Sequence, residues 1–388
     1  MKFITRTIWI LSLVSLFTDF ASEMLYPVMP MYLQSIGFSA IWIGVLEGMA
    51  EATAGLSKGY FGKLSDTIGK RVPFVQLGYS LSAISKPMMA AFINPLWVLF
   101  ARTTDRLGKG IRTGARDAIL SDETTPEHKG KVFGFHRAFD TMGAVLGPLT
   151  ALLFLQFYPE SYRTLFFIAF IPGVCAIVLT VLIKEKNTQP KAVVTNSFFS
   201  FLHYWKESPP AYRQLLFGLL TFALINSSDI FLLLMIKHRG FDDTHVISIY
   251  IFYNLVYALA SYPMGILGDR IGFRKTFMFG LLLFAVVYAG IAFNKELIVF
   301  YFLFFLYGLY AAGTEGITKA WISNICEKKD TATAIGTYAA FNSIFTMLAS
   351  SLAGLIWYFV APSATFLVTA IGTILLVVYF IRMRISNK

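Results

Sequence analysis

Charged side chains are scarce in this sequence. They make up 14% of its 388 residues, whereas 56% are hydrophobic and the mean hydropathy is +0.64. Since about a quarter of the residues in ordinary globular chains are charged, this composition excludes a typical soluble enzyme or binding domain. Apolar stretches near the roughly 20 residues needed to cross a bilayer recur along the whole chain. The sequence therefore predicts an all-α, multi-pass membrane protein, because helices satisfy every backbone group internally.

Cysteines and catalytic motifs are also few. The two cysteines, Cys175 and Cys326, fit no metal or disulfide spacing, and we interpret them as small apolar residues. The sequence contains no metal-ligand cluster, no nucleophile–base pair and no phosphate-binding loop, so we expect no metal, no cofactor and no enzymatic activity. A Walker motif is missing too, which argues against ATP as the energy source.

Turn and charge clusters divide the chain into about a dozen spans. We place spans 1 to 12 near 8–33, 41–63, 72–93, 95–119, 130–157, 163–184, 212–236, 244–266, 275–293, 297–325, 330–358 and 364–384. They predict an N-terminal six-helix bundle at 1–184, a cytoplasmic linker at 185–211 and a C-terminal six-helix bundle at 212–388. Aromatic and apolar residues in the linker recur at helical spacing and predict an amphipathic helix on the membrane surface. They are Phe198, Phe199, Phe201, Leu202, Tyr204 and Trp205.

Basic residues are distributed unevenly between the two sets of loops. One set carries many lysines and arginines, among them Lys63, Lys129 and Lys131, whereas the opposite set holds only Arg163, Lys237, Arg239 and Lys295. An excess of Lys and Arg is typical of cytoplasmic loops. We therefore expect both termini to be cytoplasmic and the protein to lie in a plasma (bacterial inner) membrane. The same loops explain the net charge of +11 without nucleic acid as a partner.

The two halves of the sequence resemble each other. "GKLSDTIGKR" at 62–71 is answered by "GILGDRIGFR" at 265–274. Two six-helix repeats in parallel orientation predict a central cavity between them, as in many secondary transporters. The offset pairs Gly37 with Gly240, Gly62 with Gly265, Asp66 with Asp269 and Gly69 with Gly272.

With these motifs the chain resembles a transporter of the major facilitator superfamily (MFS) over nearly its whole length. The family motif between spans 2 and 3 is matched by Gly62, Asp66, Gly69, Lys70 and Arg71, although Thr67 replaces the usual arginine. The second copy keeps that arginine as Arg270, after Asp269. The resemblance implies that this loop locks the cytoplasmic gate, with its Asp facing a helix N-terminus.

Span 5 carries a second motif of the family. Gly143, Gly147 and Pro148 form "GAVLGP", which is similar to the G-x-x-x-G-P motif of drug and metabolite:proton antiporters. Glycines at this spacing allow two helices to approach closely, and the proline bends the helix. This resemblance favours export over uptake.

Span 4 contains a dense stripe of charge. "ARTTDRLGKGIRTGARD" at 101–117 resembles the family's R-x-x-Q-G motif at Arg106 and Gly110, with Lys109 in place of the glutamine. At about 100° per residue, the charged residues from 102 to 116 fall within an arc of roughly 120°. Such a stripe predicts that they face the interior of the bundle. Its candidate members are Arg102, Asp105, Arg106 and Lys109, with Arg112 and Arg116 beyond them.

Carboxylates on other spans could neutralise this stripe. Candidates are Asp19 and Glu23 on span 1, Glu47 and Glu51 on span 2, Asp140 on span 5 and Asp229 on span 7. Two interpretations stay open. The charges could form a network that only holds the bundle together, or some carboxylates could exchange protons while Arg106 or Lys109 contacts substrate. On span 10, Glu315 and Lys319 are one turn apart and are expected to pair.

These observations predict a secondary active transporter that works by alternating access. We expect proton-coupled export of an amphipathic or anionic small molecule, such as a drug-like compound or a metallophore, by a monomer in the lipid bilayer. One alternative is import of a nutrient or a siderophore-like metal chelate. A remote alternative is a membrane-embedded enzyme or a lipid-handling protein.

Overall fold

The computed structural model describes residues 4–26, 28–38, 40–186 and 200–383, and all regular structure in these ranges is helical. In chain order the helices are α1 (Arg6–Leu25), α2 (Met29–Ser35), α3 (Ala40–Ile68), α4 (Val72–Ala91), α5 (Pro95–Asp122), α6 (Lys129–Phe157), α7 (Tyr162–Val181), α8 (Tyr204–Glu207), α9 (Pro210–Ile225), α10 (Ile230–His238), α11 (Asp243–Ile271), α12 (Phe273–Phe293), α13 (Leu297–Ile325), α14 (Thr331–Phe359) and α15 (Pro362–Arg382). Short 3-10 turns occupy Pro126–His128, Ser200–His203 and Lys328–Asp330. The predicted all-α fold is confirmed. In the described part of the chain, eight helical segments are long and apolar enough to cross a membrane.

Two of the predicted spans are interrupted. Span 1 divides where α1 ends at Leu25 and α2 begins at Met29, and span 7 divides where α9 ends at Ile225 and α10 begins at Ile230. The prediction of one unbroken helix is therefore wrong for both spans. In span 7 the cause is "NSSD" at 226–229. Short polar side chains of this kind bond to nearby backbone groups and compete with the helix.

Contacts divide the chain into two compact units. Unit 1 comprises Met1–Thr125, Phe139–Lys206 and Glu327–Ala340. Unit 2 comprises Pro126–Ala138, Glu207–Cys326 and Phe341–Lys388. The start of α14 thus belongs to unit 1, and the start of α6 belongs to unit 2.

In unit 1 small residues let α3, α4 and α5 approach closely. A Cβ placed on Gly78 of α4 would lie 2.6 Å from the carbonyl oxygen of Gly108 on α5. Gly110 of α5 makes an equally close approach to Ser57 of α3. With one face of α5 packed in this way, its charged face is left to line the interior of the unit.

Aromatic side chains fill the interior of unit 2. The rings of Phe284 and Tyr288 on α12 stack 4.1 Å apart, and Tyr310 of α13 lies 4.7 Å from Phe284. Tyr307 lies 5.1 Å from Tyr310 on the same helix. Since these rings are almost fully buried, each hydroxyl has to find a polar neighbour inside the protein.

The backbone repeats the left-handed turns at the paired glycines. Gly37 and Gly240 have φ of 91° and 93°, and Gly69 and Gly272 have φ of 72° and 94°. Only glycine adopts this region without strain. The internal repeat read from the sequence is thus present in the local geometry of both halves.

The described end of the linker is helical. Ser200–His203 forms a 3-10 turn that leads into α8, and Phe201 and Tyr204 are buried. A Cβ on Gly59 of α3 would lie 2.6 Å from the Phe201 ring. These two aromatic side chains pack on the protein, whereas Leu202 and Trp205 are exposed. Phe198 and Phe199 lie outside the described residues.

Candidate functional site

A polar pocket in unit 1 collects the charged stripe of α5 as far as Arg112, together with Asp19 and Glu23 of α1. It is bordered by α1, α4 and α5 and by the interruption between α1 and α2, where Tyr26 and Met29 line it. Its cationic lining residues are Lys86, Arg102, Arg106, Lys109 and Arg112, and its acidic ones are Asp19, Glu23 and Asp105. The formal charges leave a basic excess in the pocket.

The stripe on α5 supplies five of the eight charged residues that line the pocket. Arg102, Asp105, Arg106 and Lys109 all border the pocket. Arg102 and Asp105 are buried, and Arg106 is half-buried. The α-helical spacing places these residues on one face, as the sequence indicated.

Lys86 is a member of the site that the sequence analysis missed. It is buried on α4, and its Nζ donates to Oδ1 of Asp105 at 2.7 Å. Arg102 adds a second cation, with its Nη1 3.6 Å from Oδ2 of Asp105. Two cations therefore neutralise one carboxylate. A lysine inside the apolar segment "SAISKPMM" was the available signal, because ionisable residues inside a span are rare and functional.

The described hydrogen bond and ring contact of Arg112 are both with uncharged side chains. Its Nη1 donates to Oγ of Ser82 at 2.5 Å, and its guanidinium carbon lies 4.4 Å from the centre of the Tyr79 ring. The Arg112 Nε is buried and has no hydrogen-bond acceptor among the described residues. A buried guanidinium with an unsatisfied donor is costly, and an anion in the pocket would supply the missing acceptor.

The acidic residues divide into two groups. Asp19 and Glu23 of α1 line the pocket and interact electrostatically with Lys109. Asp140 of α6 is buried and accepts a hydrogen bond from Ser15. Asp140 does not border the pocket but lies within hydrogen-bonding reach of Asp19.

Further along α5, Arg116 pairs with Asp117 at 2.9 Å and donates to Ser15 at 3.3 Å. Glu47 and Glu51 are in α3, but their side chains lie outside the described residues.

The glycine motif of α6 lies against α1. A Cβ on Gly143 would be 2.5 Å from the Leu16 carbonyl oxygen, and one on Gly147 would be 2.6 Å from the Met24 amide nitrogen. Pro148 follows inside the same helix. The motif therefore brings α6 close to the helix that carries Asp19 and Glu23.

Asp66, near the end of α3, contacts the start of α14 within unit 1. Its Oδ2 accepts from the Thr333 amide at 2.7 Å and from the Thr333 hydroxyl at 2.8 Å. Arg71 donates to Oδ1 of Asp66 at 3.1 Å and also pairs with Asp122. Gly62 allows this approach, because a Cβ there would lie 2.5 Å from the Ala332 carbonyl oxygen.

The second copy of the motif makes an analogous contact within unit 2. Asp269 accepts from the amides of Gly130 and Lys131, at 2.7 and 2.9 Å, at the start of α6. Gly265 lies against the Gly130 carbonyl. Arg270 follows in the last turn of α11, and Gly69 and Lys70 lie in the turn between α3 and α4. Both carboxylates thus satisfy free amides at a helix N-terminus.

Two further charged residues that the sequence singled out, Asp229 and Glu315, lie in unit 2. Asp229 is the N-cap residue of α10 and accepts from the Tyr307 hydroxyl at 2.6 Å, so the structure does not place it in the unit 1 pocket. Glu315 of α13 forms an ion pair with Arg137 of α6, which also donates to Tyr257. The spacing of Glu315 and Lys319 did not predict this contact.

Comparisons with known proteins agree with this architecture. The family model of the Major Facilitator Superfamily matches residues 11–253 and 230–387. An uncharacterized MFS-type transporter of Methanocaldococcus jannaschii is 33% identical over 373 residues, which cover 94% of this chain and 91% of that protein. The quinolone resistance protein NorA of Staphylococcus aureus is 24% identical over 172 residues, covering 44% of this chain and 42% of NorA.

A solved structure matches the whole fold. The human organic anion transporter MFSD10 (TETRAN) superposes with a TM-score of 0.82 at 16% identity, covering 97% of this chain and 99% of that one. This likeness shows the fold alone. Together with the family match over the whole chain, it identifies this multi-pass membrane protein as a member of the major facilitator superfamily of small-molecule transporters.

Proposed function

We propose that the protein exports a small anionic compound by alternating access, in exchange for protons. The pocket of unit 1 is the substrate site in this proposal. Arg112, Lys109 and Arg106 are the residues that contact the anion.

The observation that carries the proposal is the position of Arg112. It borders the pocket, its described partners are a hydroxyl and an aromatic ring, and its Nε has no acceptor among the described residues. Burying a cation without a partner is unfavourable. An anionic substrate would relieve this cost, and arginine is well suited to bind a carboxylate or a phosphate through two parallel hydrogen bonds. MFSD10, which shares the fold, is an organic anion transporter, and this supports the same substrate charge.

Proton coupling is assigned to Asp19 and Asp140. Their side chains lie within hydrogen-bonding reach, and two carboxyl groups at this separation are expected to share a proton, because two like charges cannot both persist there. Lys109 interacts electrostatically with Asp19. Exchange requires that the proton and the anion occupy this site in alternate steps of the transport cycle, and the proteoliposome experiment below tests this order.

The proposed direction of transport, which is export, is based on the glycine motif of α6. Gly143, Gly147 and Pro148 resemble the motif of exporters, and NorA is named for quinolone resistance.

Asp66 and Asp269 are proposed to close the cytoplasmic gate through their contacts with α14 and α6. In this proposal the chain is a monomer in a plasma membrane with its basic loops in the cytoplasm.

A stability screen tests the substrate class. Purified protein is heated with a panel of carboxylates, aryl sulfonates and phosphate esters at constant ionic strength, and a bound anion should raise the Tm saturably. Lys109→Gln and Arg112→Gln should each weaken the apparent affinity about tenfold or more, because each removes a charge-assisted contact. Lys295→Gln, in an exposed turn between α12 and α13, is the matched control and should leave the affinity unchanged.

Transport tests the coupling and the direction. Proteoliposomes loaded with the best anion should move it in response to an imposed pH gradient. Stabilisation by organic cations alone would contradict the substrate class. Transport that ignores the pH gradient would contradict proton coupling, and anion movement with the proton rather than against it would favour the import alternative.

A further inference from the structure

At the interruption between α9 and α10, the described contacts of Asp229 are with neutral or acidic groups. Asp229 accepts from the hydroxyl of Tyr307 at 2.6 Å and from that of Tyr253. Both donors are neutral, and Glu315 is the charged group that influences Asp229 electrostatically. The Asp229 carboxylate does not cap its own helix α10 either. A carboxylate at this depth of a membrane protein needs a cation or a proton.

Oxygen atoms without partners surround the same break. Oδ1 of Asn226 is buried and has no hydrogen-bond partner in the described structure, while its amide nitrogen donates to Tyr310 at 3.2 Å. The Ser227 hydroxyl is buried beside the Tyr288 hydroxyl, which also lies near the Tyr307 hydroxyl, and neither Ser227 nor Tyr288 makes a hydrogen bond of normal geometry among the described residues. Buried polar atoms are nearly always satisfied, so this cluster lacks a partner that binds oxygen.

Two of the backbone donors at the break are already used. The Ser228 amide donates to Oγ of Ser350 at 3.1 Å, and the Asn226 amide donates to the Phe222 carbonyl at 2.9 Å. The end of α9, by contrast, directs its last carbonyl groups towards the break, and of these the Ile225 carbonyl accepts from Thr369 at 3.1 Å. A helix C-terminus carries a partial negative charge. The Asp229 carboxylate, the Asn226 amide oxygen and the Ser227 hydroxyl oxygen thus lie at a helix C-terminus, an arrangement that suits a cation.

We propose that the break between α9 and α10 binds one small alkali cation, with Asp229, Asn226 and Ser227 as its oxygen ligands. The charge balance favours a monovalent ion, because Asp229 is the one carboxylate at the break, whereas Glu315 is half-exposed and already paired with Arg137. Hard cations prefer carboxylate, amide and hydroxyl oxygens. Interrupted helices in transporters expose such oxygens at mid-membrane.

The internal repeat supports a binding role for this position. The offset that pairs Gly37 with Gly240 also pairs Tyr26 with Asp229. Tyr26 lies at the interruption of span 1 and lines the unit 1 pocket. The first span of each half is therefore interrupted at an equivalent point of the repeat. In both halves polar side chains lie at the interruption.

Thermal unfolding of the purified full-length protein tests the site. The Tm is measured in NaCl and in KCl against choline chloride, at constant pH and ionic strength and without any organic substrate. We expect a saturable rise in Tm with NaCl or KCl that choline does not produce. Asp229→Asn should raise the half-maximal salt concentration about tenfold or more, since the buried ion loses its counter-charge. Ser227→Ala removes a ligand oxygen without removing a charge and should raise it by a smaller factor.

Glu296→Gln is the matched control, because it neutralises an exposed carboxylate of unit 2 in the turn before α13 and should keep the salt response. A Tm that is equal in all three salts would overturn the proposal, as would a sodium or potassium response that survives in both Asp229→Asn and Ser227→Ala. A Tm that responds to pH but to neither alkali salt would also overturn it, because Asp229 would then hold a proton. Since chloride is common to all three salts and no organic anion is added, failure of this experiment leaves the proposed export of organic anions untouched.

Discussion

Replacing Asp66 with Ala should release the start of α14. The mutation removes one acceptor for both the amide and the hydroxyl of Thr333, which donate to Oδ2 of Asp66 at 2.7 and 2.8 Å. Arg71 would keep Asp122 as a partner, so the protein should still fold.

The magnitude follows from the charge of the acceptor. A hydrogen bond to a charged group contributes about 1.5–3 kcal/mol. The two bonds from Thr333 are not additive, since they share one oxygen of Asp66. We therefore take about 3 kcal/mol for the whole contact between Asp66 and Thr333. This free energy corresponds to roughly a hundredfold change in the equilibrium for local opening of the start of α14.

Hydrogen exchange measured by mass spectrometry reads this opening directly. In Asp66→Ala, peptides covering 331–335 should exchange roughly a hundredfold faster. Asp66→Asn should give a smaller increase, because its amide oxygen still accepts but carries no charge. Substrate transport should fall in Asp66→Ala, as expected for a weakened gate.

Asp269→Ala is the matched control. It removes the analogous contact with the amides of Gly130 and Lys131, and it should accelerate exchange at the start of α6 but not at 331–335. Unchanged exchange at the start of α14 in a well-folded Asp66→Ala protein would refute this reasoning. Normal transport by the same variant would argue against the assignment of Asp66 to a gate.

Three other substitutions test the candidate site. Gly147→Ala should lower the Tm because its Cβ would lie 2.6 Å from a backbone nitrogen of α1, whereas Gly354→Ala, with its nearest neighbour at 3.7 Å, should not. Lys86→Met should destabilise the protein by about 1.5–3 kcal/mol in chemical unfolding, since the buried Asp105 loses its hydrogen-bonded cation at 2.7 Å and keeps Arg102 at 3.6 Å, and adding Asp105→Asn should restore much of the loss. Arg106→Ala should lower transport and move its pH optimum; a proteoliposome assay that shows neither change would remove Arg106 from the functional site.

The sequence predicts the stripe on α5 because charge at helical spacing is a periodic signal. Arg102, Asp105, Arg106 and Lys109 were placed on one face by their spacing alone, and all four border the pocket. Lys86 was missed, because a single charged residue in an apolar segment has no period. Its partnership with Asp105 joins two different helices, and a pairing of that kind is fixed by packing rather than by local sequence.

The interrupted spans show the same limit. Hydropathy averaged over a span predicted one helix at 212–236, although four polar residues in a row stand at 226–229. Their effect on the helix depends on partners from distant segments, such as Ser350 and Tyr310. The contact of Arg137 with Glu315 likewise joins residues far apart in the chain. The repeated glycines were predictable, since a left-handed turn is encoded by the residue itself.

Unit 1 is assembled from segments that are far apart in the sequence, and this has a consequence for biosynthesis. Its last segment, Glu327–Ala340, is synthesised long after the rest of the unit. Until the ribosome has passed this segment, the Asp66 carboxylate lacks Thr333, and Gly62 and Gly59 have no α14 to pack against. During that time the first helices of the nascent chain lack their contacts with α14. The ion pair between Arg71 and Asp122 is a contact that they can already form. A ribosome that stalls between 207 and 326 would leave this exposed surface as a target for membrane quality control.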